Sequence, residues 1–201
     1  SFTAQNVKIT PGVEYILTVE TLDSARTEMR LSDCSQIEGI DVQIAWKKVG
    51  GDLVASAIVT NNNPDYVVKT LEGPFLSGLD FDVTEYPILM PYGMGLKITK
   101  SPLVKSKQAN YPHLKGWEKV KKDKECGPVK GDMSSFGRSY PSRNLTMSWM
   151  AFAGDDRGVY IASHDKNMKG KDFTVYFDPA DETYQVALTH KFTCFPGETY
   201  N

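Results

Sequence analysis

Aromatic rings with hydrogen-bonding neighbours are the residues of this chain whose types best fit a sugar-binding chemistry. The apolar face of a pyranose stacks on an aromatic ring, while its hydroxyl groups meet polar or charged side chains. Tyr92 is followed by two nearby glycines, and Tyr140 lies between Arg138 and Arg143. Ordinary core and loop positions use the same residue types. These aromatic residues could therefore either contact a sugar or simply pack in the core and loops.

His164 and Asp165 form a second polar group, directly after a predicted strand that ends at Ser163. Binding residues are often placed at such strand ends. A histidine beside a carboxylate can act in acid–base chemistry, but no GxSxG sequence supplies a nucleophilic serine and no further ligand spacing indicates a metal site. Packing or capping of a loop is the default interpretation for His164, and contact with a sugar is the functional one.

The acidic residues nominate no catalytic pair. Glycoside hydrolysis needs two carboxyl groups about 5 to 9.5 Å apart, one of them with a raised pKa. Asp155 and Asp156 are better explained as turn formers, and the acidic residues between 80 and 85 have no distinguishing spacing. We therefore predict no catalytic residue, no metal and no cofactor for this chain.

The segment from 139 to 165 predicts a β-hairpin that would position these residues. Apolar side chains occupy both faces of the run from 145 to 153, which favours a strand covered on both sides. The sequence from Gly154 to Gly158 is typical of a tight loop, and Val159 to Ser163 returns as the partner strand.

The rest of the chain is also β in pattern. Two early strands are predicted between 7 and 22, a hairpin around Gly50 and Gly51, and further strands at 66–71, 173–177 and 184–195, with breaks at Gly73-Pro74 and Gly78. No segment has helical periodicity. These patterns predict an all-β antiparallel β-sandwich in one domain, 1–201, with a long lysine-rich surface excursion at about 101–138.

Composition limits the partners. The 201 residues carry a net charge of −2 and are 40% hydrophobic, so a globular domain is expected and a nucleic acid partner is not. No apolar run approaches the roughly 20 residues that cross a bilayer, so no membrane span is predicted. Cys34, Cys126 and Cys194 are too widely separated for a zinc motif and are interpreted as small, partly buried hydrophobic residues.

Several motifs resemble one known domain. The sequence Tyr140-Pro141-Ser142, followed by MSWMAF at 147–152 and GVYIASHD at 158–165, resembles the pattern "YPS…MQWMA…GGLYLGSHD". That pattern belongs to the amino-terminal β-sandwich of large bacterial glycoside hydrolase-like proteins. The sequences FLSGL at 75–79 and LMPYGMG at 89–95 are similar to other parts of the same domain, and the resemblance covers about 73–201.

The resemblance implies a galactose-mutarotase-like supersandwich packed against a (β/α)₈ barrel, a layout similar to that of endo-α-N-acetylgalactosaminidase-type enzymes. The barrel would carry the catalytic carboxylates and lie outside this chain. The chain would then be a noncatalytic, secreted or periplasmic module, with its signal peptide removed, that supports the barrel and contacts a glycan or oligosaccharide. The expected contact residues are Tyr92, Arg138, Tyr140, Arg143, His164 and Asp165.

Two other functions stay open at this point. The chain could be a stand-alone carbohydrate-binding module, which predicts affinity for a glycan by the domain alone. It could also be a mutarotase-like or lyase-like carbohydrate-active enzyme on the same fold, with His164 or His190 as acid or base.

Overall fold

The computed structural model of the protein describes residues 15–21, 28–32, 37–99, 118–119, 134–141, 145–165 and 168–201. Within these ranges every helix-or-strand element is a β-strand, so the all-β prediction is confirmed. The strands are β1 (Ile16–Thr21), β2 (Glu28–Ser32), β3 (Ile40–Val49), β4 (Asp52–Asn61), β5 (Tyr66–Leu79), β6 (Ile88–Met90), β7 (Leu96–Ile98), β8 (Glu118–Lys119), β9 (Ser134–Tyr140), β10 (Trp149–Ala153), β11 (Gly158–Ala162), β12 (Lys171–Asp178), β13 (Thr183–Cys194) and β14 (Glu198–Tyr200).

The described strands form three antiparallel sheets. A seven-stranded sheet has the order β2-β1-β5-β13-β12-β9-β8, a four-stranded sheet has the order β11-β10-β6-β7, and a three-stranded sheet has the order β14-β4-β3. The two longest strands, β5 and β13, pair with each other at the centre of the large sheet. Both strands contribute side chains to each of the two hydrophobic clusters that separate the large sheet from the smaller ones, so they extend under both smaller sheets.

Two hydrophobic clusters fill the space between the sheets. In the first cluster, Phe173 and Val186 of the large sheet pack with Ile88 and Phe152 of the four-stranded sheet. The second cluster joins side chains of the large sheet, such as Phe192, to the three-stranded sheet. Full burial of each such side chain contributes about 1.5–3 kcal/mol. The architecture is thus a β-sandwich in which one large sheet is covered by two smaller ones.

Strand β13 passes from one cluster to the other. Tyr184, Val186 and Leu188 belong to the first cluster, and Phe192 and Cys194 belong to the second. Alternate residues of a strand share a face, so His190 lies on the same face between the two groups. A polar residue thus occupies the junction of the two clusters.

Strand β5 corrects the sequence-based boundary at residue 71. It continues through Gly73, Pro74 and Gly78, where breaks were predicted. The two glycines have φ angles of +143° and +70°, and the pairing with β13 contains register shifts in this part of the strand. Pairing with β1 ends at Glu72, so the missing N–H of Pro74 removes no hydrogen bond from the β1 ladder.

The hairpin predicted over 139–165 is shorter in the structure. Strands β10 and β11 pair from Trp149↔Ala162 to Ala153↔Gly158, while Tyr140 belongs to β9 in the large sheet. The run does not continue back to Leu145, because the N–H and the hydroxyl of Thr146 both donate to the carbonyl of Pro91.

The remaining predictions fall partly outside the described residues. The hairpin at Gly50 and Gly51 is present, and each of its strands has ten residues. Of the two early strands, the structure describes β1. Residues 134–138, at the end of the expected excursion, lie in β9, whereas 100–117 and 120–133 are outside the described ranges. Among the described residues, none belongs to a helix long and apolar enough to span a membrane.

Candidate functional site

Lys171 lies at the centre of a polar group inside the sandwich. Its side chain is 0% exposed, and its Nζ atom lies 2.6 Å from the Oδ2 atom of Asp165. The same ammonium donates a hydrogen bond of 2.8 Å to the carbonyl oxygen of Lys169. Burial of an ammonium is costly unless it is paired, so these two partners are what allow Lys171 to occupy this position.

The register of the large sheet aligns two further side chains with Lys171. Tyr140 on β9 and His190 on β13 are its direct cross-strand partners. The centroid of the Tyr140 ring lies 5.9 Å from the Nζ atom of Lys171. Because directly opposed residues share a face, Tyr140, Lys171 and His190 form a row across three strands, and Asp165 reaches it from the loop after β11.

His190 is held in its neutral form by this environment. Burial is the largest cause that lowers the pKa of its imidazole below the ordinary value of 6.5, and the positive charge of Lys171 lowers it further. The carboxylate of Asp165 acts in the opposite direction with a smaller effect. Near neutral pH the ring therefore has one N–H donor and one acceptor nitrogen.

Arg138 lies two residues before Tyr140 and on the same face of β9. Its guanidinium carbon lies 4.2 Å from the centroid of the Phe136 ring and 5.4 Å from that of the Tyr92 ring. The guanidinium also donates to the carbonyl oxygen of Gly137 at 2.7 Å. Stacking on rings and this hydrogen bond fix the direction of the cation.

These contacts define the candidate site. It joins two aromatic rings, two basic groups, one carboxylate and one imidazole along one face of β9, β12 and β13. Its members are Tyr92, Arg138, Tyr140, Asp165, Lys171 and His190.

The structure brings four of the six sequence-predicted residues into the candidate site. Tyr92 contacts Arg138, and Tyr140 and Asp165 both approach Lys171. His164 is exposed next to Asp165, and Arg143 lies outside the described residues.

Sequence reasoning missed Lys171 altogether and named His190 only as an acid or base in an alternative function. A signal for Lys171 was available, because it precedes Phe173, Val175 and Phe177 at the period of two that marks one strand face. A lysine on the same buried strand face as apolar residues needs a counter-charge or a hydrogen-bond acceptor for its ammonium. The identity of that partner depends on the tertiary structure and could not be read from the spacing.

The charged surroundings continue towards the last strand. The Nζ atom of Lys169 lies 4.2 Å from the centroid of the Tyr200 ring, and that ring stacks on Phe192 with 3.8 Å between the centroids. Burial, and secondarily the charge of Asp165, raises the pKa of the Tyr200 hydroxyl above 10.0. The phenol therefore stays protonated at neutral pH and can donate a hydrogen bond.

The candidate site combines hydrogen-bonding groups with the apolar faces of aromatic rings. The guanidinium of Arg138 and the hydroxyl of Tyr140 are hydrogen-bond donors, and the solvent-exposed part of the Asp165 carboxylate is an acceptor. The rings of Tyr92 and Tyr140 offer apolar faces. In the part of the chain that the structure describes, no three His, Cys, Asp or Glu side chains are grouped so that they could hold a metal ion.

Comparison with known protein families, with curated proteins and with solved structures finds no match to this chain. A functional interpretation therefore depends on the geometry of the candidate site and on the sequence resemblance, which stays a prediction.

Proposed function

We propose that the chain is a noncatalytic β-sandwich module of a secreted or periplasmic glycoside hydrolase-like protein, and that the candidate site contacts a glycan. The observation that carries the proposal is the pairing of aromatic rings with charged groups along one strand face. Arg138 stacks against Tyr92, and two residues later Tyr140 adjoins the Lys171–Asp165 ion pair.

The candidate site is arranged to meet a sugar with little loss of side-chain freedom. The guanidinium of Arg138 is held by two rings and by the carbonyl of Gly137. One oxygen of Asp165 is bound to Lys171, while the side chain remains 29% exposed. A carboxylate held in this way can accept a hydrogen bond from a sugar hydroxyl, and groups fixed beforehand lower the entropic cost of binding.

The composition of the candidate site favours binding over hydrolysis. Glycosidases place two carboxyl groups on either side of the scissile bond. Among the described residues, the candidate site contains one, Asp165. The catalytic carboxylates are proposed to lie on a (β/α)₈ barrel outside this chain, as the resemblance implies, and the sandwich to form one wall of the glycan cleft.

A glycan array tests this function on the chain alone. The unmodified chain is expected to bind at least one class of glycan, and Tyr140→Phe and Tyr92→Leu to weaken that binding. Tyr66→Phe is the matched control, since Tyr66 packs against the second cluster away from the candidate site. Binding that both site variants leave unchanged would contradict the proposal. So would cleavage of aryl glycosides that is lost when one carboxylate is replaced.

One observation favours a second candidate function. His190 has a neutral imidazole beside an ion-paired carboxylate, which is a combination suited to proton transfer. A mutarotase-like activity would accelerate anomeric exchange of free sugars, measured by NMR, and His190→Gln would abolish the acceleration. Exchange no faster than in buffer would rule out this activity for the sugars tested.

A further inference from the structure

Two aromatic residues are paired on the outer surface of the four-stranded sheet. The ring centroids of Trp149 on β10 and Tyr160 on β11 lie 5.8 Å apart, with 35° between the ring planes. Tyr160 is 62% exposed and Trp149 is partly buried. A cross-strand aromatic pair stabilises the sheet, and where its rings are exposed it also offers aromatic faces to a ligand.

The direction of these rings follows from the pleat of the hairpin. Met150 and Phe152 on β10, and Val159 on β11, belong to the first hydrophobic cluster between the sheets. Successive side chains of a strand point to opposite faces, so Trp149 and Tyr160 point away from that cluster. They lie on the opposite side of the sheet from the candidate site.

Small residues lie directly opposite the two rings, and Leu89 on β6 follows beyond Ala151 on the same face. The direct cross-strand partner of Trp149 is Ala162, and that of Tyr160 is Ala151. The next pair towards the turn joins Ala153 to Gly158. The rings therefore stand above a shelf of methyl groups and backbone, where a flat ring could lie against an aromatic face.

We propose that Trp149 and Tyr160 bind the apolar face of a neutral pyranose residue. Pyranose C–H groups stack on aromatic rings, and the phenol of Tyr160 and the exposed carboxylate of Asp155 in the adjoining turn offer hydrogen bonds to hydroxyl groups. Two aromatic side chains can bury about 150–250 Å² each, which falls short of the roughly 800 Å² per partner that a stable protein interface buries. A patch of this size matches one or two sugar rings.

This aromatic pair is independent of the candidate site. The candidate site lies on the inner face of the large sheet, and the pair lies on the outer face of the four-stranded sheet. Binding at the pair does not require the proposed function of the candidate site to be correct, and each can be tested with variants of its own residues.

Tryptophan fluorescence tests the inference directly. In a chain that carries Trp46→Phe and Trp117→Phe, Trp149 is the remaining tryptophan. Neutral hexasaccharides of β-1,4-glucan, xylan, mannan and α-1,4-glucan serve as probes. At least one is expected to change the emission of Trp149 in a saturable way. Phe195→Ala in the same background is expected to leave this response unchanged, because Phe195 is an exposed aromatic residue outside both the aromatic pair and the candidate site.

Electrophoresis through gels that contain the corresponding polysaccharides provides a second measurement in the otherwise unmodified chain. Tyr160→Ala is expected to weaken the affinity derived from the retardation about tenfold, because it removes one stacking contact. Phe195→Ala is the matched control, since Phe195 is an aromatic residue with 50% exposure elsewhere on the surface, and it is expected to have no effect.

Two results would overturn the inference. One is the absence of any saturable fluorescence change together with equal retardation of the unmodified chain and Tyr160→Ala. The other is concentration-dependent self-association, measured by sedimentation, that Tyr160→Ala abolishes while no glycan is bound. That second result would assign the pair to contact between copies of the chain.

Discussion

The Nζ atom of Lys171 lies 2.6 Å from the Oδ2 atom of Asp165, and this ion pair ties the loop after β11 to the large sheet. The lysine is fully buried, whereas the carboxylate is partly exposed. The pair lies where the inner face of β13 passes from the first hydrophobic cluster to the second. The position of Asp165, and with it one end of the candidate site, therefore depends on Lys171.

Removing the carboxylate of Asp165 is predicted to destabilise the protein more than removing the ammonium of Lys171. Asp165→Asn leaves a buried ammonium without its counter-charge and is expected to lower the free energy of unfolding by about 3–5 kcal/mol. Lys171→Met leaves a carboxylate that water can reach, so about 1 kcal/mol or less is expected. Urea unfolding of both single variants, and of the double variant, measures the difference.

The double variant is the control for this asymmetry. Lys171→Met combined with Asp165→Asn removes both charges and is expected to recover most of the loss caused by Asp165→Asn alone. Equal losses in the two single variants, or additive losses in the double variant, would contradict an ion pair in which only the lysine depends on its partner.

His190 is predicted to make the protein less stable in mild acid. Its pKa is lowered in the folded state, so on acidification the unfolded chain binds a proton at a higher pH than the folded chain does. Above pH 6.5, the ordinary pKa of histidine, His190 does not reduce the stability of the fold. The free energy of unfolding decreases as the pH falls from 6.5 towards the lower pKa of His190 in the folded protein. His190→Gln is expected to lose less stability than the unmodified chain between about pH 7.5 and about pH 5.

An NMR titration of the His190 ring tests the cause of this pH dependence. Its midpoint is expected to lie below 6.5 in the folded protein. A midpoint at or above that value, or an unchanged pH dependence of stability in His190→Gln, would show that burial and Lys171 do not control this group.

Gly158 is predicted to be intolerant of a side chain. A Cβ atom there would collide with the carbonyl oxygen of Phe152 on the paired strand, and backbone cannot move aside without disturbing the β10–β11 ladder. Gly158→Ala is expected to cost about 1–3 kcal/mol in the free energy of unfolding. Gly51→Ala is the matched control, because nothing lies within 4 Å of a Cβ at that position. Equal stability of the two variants would contradict the close approach at Gly158.

Cys194 is predicted to be unreactive in the folded protein. It is 1% exposed, and burial, followed by the nearby carboxylate of Glu198, raises the pKa of its thiol above 9.0. In a chain carrying Cys34→Ser and Cys126→Ser, a disulfide reagent at about pH 8 is expected to label Cys194 only after denaturant is added. Rapid labelling under native conditions would contradict this environment.

Much of the fold could be predicted because alternation in single strands is a local signal. The runs around Phe173 and Val186 alternate or are continuously apolar, and both are strands in the large sheet. The passage of β5 through Pro74 was not predictable in this way. It depends on the point at which β1 stops pairing, which is a property of the sheet and not of the local sequence.

The candidate site was predictable in part for the same reason. Tyr140 and Asp165 could be selected by residue type and position, but what joins them is Lys171, which the sheet order β9-β12-β13 places beside Tyr140 and His190. That order brings together residues far apart in the chain. The outward direction of Trp149 was also hidden, because β10 is apolar on both faces.

Backbone amide shifts in an NMR titration, with an oligosaccharide that the chain binds, test the proposed contact with a glycan most directly. The titration is made with the Tyr160→Ala variant, so that the outer aromatic pair does not contribute. We predict that the shifts concentrate at Tyr92, Arg138, Tyr140 and Asp165, and that Tyr140→Phe weakens the binding. Shifts confined to other surfaces, or binding that Tyr140→Phe leaves unchanged, would contradict the assignment of the candidate site as a glycan contact.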